Sequence, residues 1–156
     1  MSWSLVKVTE SDVDELMTWF PTRESVDIWG GPVFRFPFTR ETFHEDCHWD
    51  EFATYRLQDE QDTFAAFGQM GERYGRSHFA RLIANPEMRG QGVGKKLMLH
   101  LMEEARRQQG NDEFGLFVYR DNAPALHCYQ SVGFEITEYP DDAPMPDECY
   151  YLIRPA

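Results

Sequence analysis

The 156-residue chain carries 27 acidic against 15 basic residues, a formal net charge of −12, which argues against the basic face that nucleic-acid phosphates require. Hydrophobic residues at 42% and aromatics at 15% supply a sizeable core and exclude a disordered chain, and no apolar run reaches the ~20 residues of a membrane span. Three scattered cysteines, Cys47, Cys128 and Cys149, make neither a disulfide frame nor a zinc spacing, so reduced thiols, no metal and a cytoplasmic setting are expected.

Met1 to Lys7 lacks the basic-then-apolar layout of a secretion signal, and Trp3 to Val8 reads as a first strand. Ser11 is the expected N-cap of a helix through Trp19, with Val13, Leu16, Met17 and Phe20 on its apolar side. An aromatic connection, Ile28 to Phe38, follows: Trp29-Gly30-Gly31-Pro32, then Phe34, Phe36 and Phe38, an alternation that also fits a strand packed on the core. Thr39 begins a second helix through about Trp49. Thr54 to Leu57 and Thr63 to Met70 form a hairpin across the polar turn Gln58 to Asp62. A turn at Gly71 to Gly75 leads to the strand Arg76 to Ala84. A helix from Lys95 to about Gln109 puts Leu97, Leu101, Met102 and Ala105 on one face and stops at Gly110. Phe114 to Tyr119 is an apolar strand, Asn122 caps the next helix, and strands near Glu135 to Thr137 and from Cys149 to Arg154 complete the chain. Strands interleaved with helices and no low-complexity linker indicate one α/β domain over residues 1–156 with a mixed central sheet.

Two segments carry chemistry. Arg89-Gly90-Gln91-Gly92-Val93-Gly94 joins a strand to a helix. Its glycines let backbone N–H groups converge at the positive end of the helix dipole, the construction of a diphosphate cradle, and Arg89 adds a guanidinium at the lip. A nucleotide P-loop would need glycine where Arg89 stands and Ser or Thr where Lys96 stands, and a dinucleotide fingerprint would need glycine at Lys95 or Leu97. Neither pattern is met, and a plain tight turn is the remaining alternative to a cradle. The second segment runs from Asn122 to Phe134: Asn122 suits an N-cap, Pro124 the first turn, and Gly133 a left-handed helix end.

Asn85-Pro86-Glu87-Met88-Arg89-Gly90-Gln91-Gly92-Val93-Gly94 resembles the coenzyme-A-binding motif R-x-x-G-x-G of the GNAT N-acetyltransferase superfamily, and Asn122 to Phe134 resembles its N-x-x-A-x-x-x-Y-x-x-x-G-F signature. The resemblance covers residues 76 to 137 well and the rest in outline. It implies an α/β fold with a mixed, largely antiparallel sheet flanked by helices, splayed where acetyl-CoA enters. It places Leu82, Ile83 and Ala84 along the pantetheine arm and Arg89, Gly90, Gln91, Gly92, Val93, Gly94 and Lys95 at the diphosphate. Asn122 caps its helix or also bonds the cofactor. Tyr129 matches the tyrosine that in many members protonates the departing thiolate, although core packing is the alternative for an aromatic on the apolar side of its helix; a phenol of pKa about 10 suits that donation. His78 is the candidate base, with a structural histidine as its alternative, and Glu87 within the motif has the alternative of placing a negative charge near a helix start.

The same resemblance puts the aromatic connection beside the acceptor, so Trp29 is expected in the acceptor pocket and Asp27 near a cationic amine. Positive charge gathers at Arg89, Lys95, Lys96, Arg106 and Arg107, whereas Glu41 to Glu60 and Asp141 to Glu148 are acidic. Those acidic runs are solvated surface or a field that concentrates a cationic acceptor. Three functions fit: an acetyl-CoA-dependent N-acetyltransferase acting on a small-molecule or peptide amine, an acyl-CoA sensor without turnover, and a transferase for a longer acyl group. Tyr129 in an intact signature favours turnover. A homodimer through an edge formed by Tyr150, Tyr151, Leu152 and Ile153 is also expected.

Overall fold

The computed structural model describes residues 2–31 and 34–156; Met1 of the N-terminal stretch and Pro32 of the aromatic connection lie outside them. The elements in chain order are β1 (Ser4–Lys7), α1 (Glu10–Met17), α2 (Arg23–Gly30), α3 (Arg40–Asp46), β2 (Ala53–Gln58), β3 (Phe64–Arg73), β4 (Arg76–Ala84), a 3-10 turn (Pro86–Met88), α4 (Val93–Gln109), β5 (Phe114–Tyr119), α5 (Ala123–Ser131), β6 (Glu135–Thr137) and β7 (Cys149–Arg154). The strands form a seven-stranded sheet in the order β1-β2-β3-β4-β5-β7-β6. Every neighbouring pair is antiparallel except β4 and β5. The expected mixed, largely antiparallel α/β sheet is therefore what forms.

The sheet opens in its middle. β4 and β5 pair only through Ser77 to Phe79 and Phe114 to Leu116, although β4 runs on to Ala84 and β5 to Tyr119. A bulge explains the parting: the β3–β4 register shifts between Phe67↔Ile83 and Gln69↔Ala80, and Arg81 there has a left-handed φ of 52°. An extra residue in one strand bends it and increases its twist, turning the end of β4 out of line.

Helices pack on the sheet through two apolar clusters. Leu97, Met98, Leu101, Met102 and Ala105 of α4 meet Leu57, Ala66, Met70, Phe79, Phe114 and Leu116. Val13, Leu16, Phe20, Val26, Phe34 and Phe43 gather around Phe64 and Phe67. Gly68 lets α4 lie close, since a Cβ there would sit 2.9 Å from Leu82 and 3.0 Å from Leu101.

Several boundaries differ from the sequence reading. Thr9, not Ser11, begins α1, because its extended backbone lets the Asp12 carboxylate accept from its N–H at 2.9 Å. The connection expected from Ile28 starts inside a helix, α2, whose N-cap Thr22 accepts from the Ser25 N–H. α3 stops at Asp46, since His48 adopts a left-handed φ of 51°. Gly71 belongs to β3, and the turn is confined to Tyr74 and Gly75. The cradle helix starts at Val93 rather than Lys95. Most consequential, β7 is not an edge: β5 and β6 flank it, so Tyr150 to Ile153 no longer offer a free edge for dimerisation.

Candidate active site

Where β4 leaves β5, the chain builds a cleft of about 540 Å³ between the end of β4 and the starts of α4 and α5. Asn85 fixes the corner. Buried to 6% exposure, it donates from Nδ2 to the Phe64 carbonyl at 2.9 Å and accepts the Glu87 N–H on Oδ1 at 3.0 Å. The turn after it needs left-handed backbone at Gly90 (φ 81°) and Gly92 (φ 72°), where a side chain would be disfavoured. A Cβ at either position would meet nothing within 4 Å, so both glycines face open space.

Gly92 is the N-cap of α4 and supplies no side chain to cap it. The Lys96 N–H reaches the Gly92 carbonyl at 3.2 Å, closing the first helical turn. The N–H groups of Val93, Gly94 and Lys95 precede that turn, and an anion is the partner such groups and the helix dipole favour. Arg89 and Lys95 line the same cleft. α5 approaches from the other side, capped by Asn122, whose Oδ1 accepts from the Ala125 N–H at 3.4 Å. The two helices come close enough that a Cβ on Gly94 would lie 3.3 Å from the Cys128 sulfur.

The cleft brings together most of the residues named from sequence: Leu82, Ile83, Ala84, Arg89, Gly90, Gly92, Val93, Gly94, Lys95, Asn122 and Tyr129. Gln91 is exposed and not among its lining residues. Tyr129 is 9% exposed, and burial foremost, then Cys128, holds its phenol pKa well above the usual value. The hydroxyl therefore keeps its proton at neutral pH and forms no hydrogen bond among the described residues. Burial likewise raises the Cys128 thiol, against a smaller opposing effect of Lys95.

His78 lies elsewhere. Its register partner is Gly115, inside the paired part of the two strands; it is 4% exposed and packs 5.5 Å from the Phe117 ring. Burial first, then Arg73 and Arg81, lowers its pKa to about 4, so it is neutral at physiological pH. Trp29 stacks on Phe20 at 4.3 Å and on Phe43 at 5.8 Å, placing its ring against the aromatic core with Phe34, Phe36 and Phe38. Asp27 pairs with Arg23 at 3.1 Å one helical turn away. Neither lines the cleft. Tyr119 at the end of β5 escaped the sequence reading; its phenol is raised by burial and by Cys149, Asp27, Glu148 and Asp121. Arg81 escaped it too, although an arginine between Ala80 and Leu82 in an apolar strand was a visible anomaly.

The profile of the acetyltransferase (GNAT) family matches residues 16–134. The chain belongs to this family. GNAT structures share its architecture across nearly the whole length. AAC(6')-Ib in complex with Parmomycin and acetyl-CoA superposes with a TM-score of 0.77 at 21% identity, covering 99% of this chain and 94% of that one. The spermidine N-acetyltransferase from Vibrio cholerae in complex with CoA and spermine gives 0.75 at 16% identity, covering 97% and 94%. Sequence similarity to curated GNAT-type proteins is shorter. A mycothiol acetyltransferase of Saccharomonospora viridis is 41% identical over 54 residues, 35% of this chain and 17% of that protein. A streptothricin acetyltransferase of Streptomyces lavendulae is 43% identical over 49 residues, 31% of this chain and 25% of that protein. The matched segments thus span a quarter or less of those relatives.

Proposed function

We propose that the chain is an acetyl-CoA-dependent N-acetyltransferase that transfers acetyl to a primary amine of a small molecule or peptide by direct attack in a ternary complex. The observation that carries this reading is the uncapped start of α4 opening, with Arg89 and Lys95, into the same cleft as the protonated Tyr129. The residues fit the cofactor: Val93, Gly94 and Lys95 offer N–H groups to its diphosphate, Arg89 a guanidinium, and Leu82 to Ala84 an apolar strand end beyond its pairing with β5 for its arm. Acetyl-CoA, when bound, supplies the acetyl group as an activated thioester. Tyr129 is then the proton donor to the leaving sulfur: its phenol is protonated at neutral pH, and the desolvation that raises its pKa makes it a weaker acid than a free phenol, so donation requires the developing thiolate within hydrogen-bond reach.

His78 is a poor base in this scheme, because it does not line the cleft and because burial, then Arg73 and Arg81, make it a weak proton acceptor. A neutral amine that sheds its proton to solvent on attack needs no dedicated base from the chain. The relatives crystallised with spermine and with Parmomycin bind amine-bearing ligands, and the −12 charge here favours approach of an ammonium. Thiol release from acetyl-CoA, followed against a panel of amines and peptides, tests the proposal. Acceptor-dependent release supports it, and binding of acetyl-CoA without release by any amine or peptide counts against turnover.

A further inference from the structure

Most arginines with a neighbour of opposite sign use it here: Arg35, Arg40, Arg56, Arg76, Arg106 and Arg107 each form an ion pair. Arg81 does not, although it is the one built into the opening of the sheet. Its Nη1 donates to Gln69 Oε1 at 2.8 Å. Gln69, fully buried, is itself fixed by the Cys47 carbonyl at 3.0 Å and Thr54 Oγ1 at 3.3 Å. The guanidinium lies 5.3 Å from the Phe52 ring centroid, and its Nε is buried with no hydrogen-bond partner. Burial lowers its basicity, against smaller opposing effects of Cys47 and then Glu51, and Glu51 pairs instead with His48 at 2.9 Å. A half-buried cation without a carboxylate is costly, and this chain has acidic residues in surplus to provide one.

A second orphan stands beside it. His78 Nδ1 is buried without a partner in a side chain 4% exposed, and both Arg73 and Arg81 oppose its protonation. Arg73 lies over the Phe117 ring at 5.4 Å, the ring that also packs on His78. Phe52, Gln69 and Arg81 lie across the strand from α4, because Leu82, the next residue, turns to Leu97 and Leu101 around Gly68. The cofactor cleft is lined from Leu82 onward. Arg81 therefore stands at the edge of the cofactor cleft but on the sheet's other side, the face on which Phe67 and Ile83 pack with the aromatic connection that the family resemblance sets beside the acceptor.

From this juxtaposition we infer that Arg81, with His78 beside it, is an anion subsite for a carboxylate carried by the acceptor, so that the acceptor is an amine of the amino-acid class. The inference rests on the acetyltransferase reading for the word acceptor, but the subsite itself does not. A planar guanidinium with only Nη1 tied to Gln69 keeps Nη2 as a donor for a carboxylate, with the unpartnered Nε on the same edge. The acidic exterior and the basic subsite are compatible in a zwitterion, whose ammonium is drawn by the field while its carboxylate is held at the bulge.

Two measurements test it. In the first, thiol release is compared for L-amino acids and their carboxamides. The free acids should be favoured in kcat/KM by about 10- to 100-fold, the range of one charge-assisted hydrogen-bonded pair. Arg81→Gln should erase that preference by weakening the acids and leaving the amides unchanged, whereas Arg81→Lys should keep part of it. Equal use of acids and amides, or a preference that survives Arg81→Gln, overturns the subsite. The second needs no turnover and no variant fold: the Nε–H resonance of Arg81 in the unaltered protein, loaded with coenzyme A, is followed while N-acetylglycine or N-acetylglycinamide is added. A shift with the acid alone is expected; no shift with the acid, or an equal one with the amide, overturns it. If no amine releases thiol yet the acid shifts Arg81, the acetyltransferase reading fails while the subsite stands.

Discussion

Tyr129 and His78 show how burial assigns opposite fates to two titratable side chains. For Tyr129, desolvation secures the proton on a hydroxyl that borders the cleft. Its ring meets Phe134 edge-on at 6.3 Å, so Tyr129→Phe preserves packing and loses no internal hydrogen bond. With an accepted amine in hand, kcat should fall by about 10²-fold or more, while acetyl-CoA affinity and melting temperature stay nearly unchanged. A structural tyrosine would show the reverse pattern in the same three measurements. For His78, desolvation removes the proton: the folded pKa of about 4 lies below the unfolded value near 6.5. A depressed folded pKa means that the unfolded chain takes up the proton first. Stability is therefore complete above pH 6.5 and declines as pH falls toward 4. Urea unfolding at pH 7 and at about pH 4.5 should differ by roughly 2–3 kcal/mol on this account, and His78→Leu should flatten that part of the profile. An identical slope in the variant would show that other groups carry the acid sensitivity.

Among the elements, those with a strong local signal were legible in the sequence, and those set by tertiary contact were not. β4, β5 and α5 follow their apolar periods and caps, and the glycine turn into α4 announces the cleft; eleven of the fifteen residues named for the site line it because the end of β4, that turn and the α5 signature are all local signals. α2 was missed because eight residues with few apolar positions resemble a loop, although Thr22 and Ser25 mark its start. The placement of β7 between β5 and β6 depends on a return of the chain that periodicity does not encode. The bulge at Arg81 is likewise a property of the β3–β4 pair, invisible in β4 alone. That pair also leaves room for α4 at Gly68, and Gly68→Ala tests it. The new methyl would press on Leu82 and Leu101, so stability should drop by about 1–3 kcal/mol, read as a lower urea midpoint. Because Leu82 lines the cleft, acetyl-CoA should also bind more weakly; wild-type stability and affinity together would contradict the tight packing.

Taken whole, the molecule sets a strongly acidic exterior, −12 in net charge, around a cleft whose lip is basic at Arg89 and Lys95. Such a field speeds approach of a cationic amine and is screened beyond about 10 Å at 0.1 M salt. Raising ionic strength should therefore increase KM for cationic acceptors and leave kcat little changed; a salt-independent KM would leave the acidic surface without a role in capture. No helix among the described residues is long and apolar enough to cross a membrane. The central claim, that the uncapped start of α4 holds the diphosphate of acetyl-CoA, is tested most directly by calorimetric titration of acetyl-CoA into the protein and into Gly92→Asp. Nothing lies within 4 Å of a Cβ at position 92, and aspartate tolerates left-handed backbone better than most residues, so the variant should fold. Its carboxylate would occupy and repel at the helix start where the diphosphate belongs. Binding to the unaltered protein and its loss in a folded Gly92→Asp is the predicted result; equal binding by both would contradict the account.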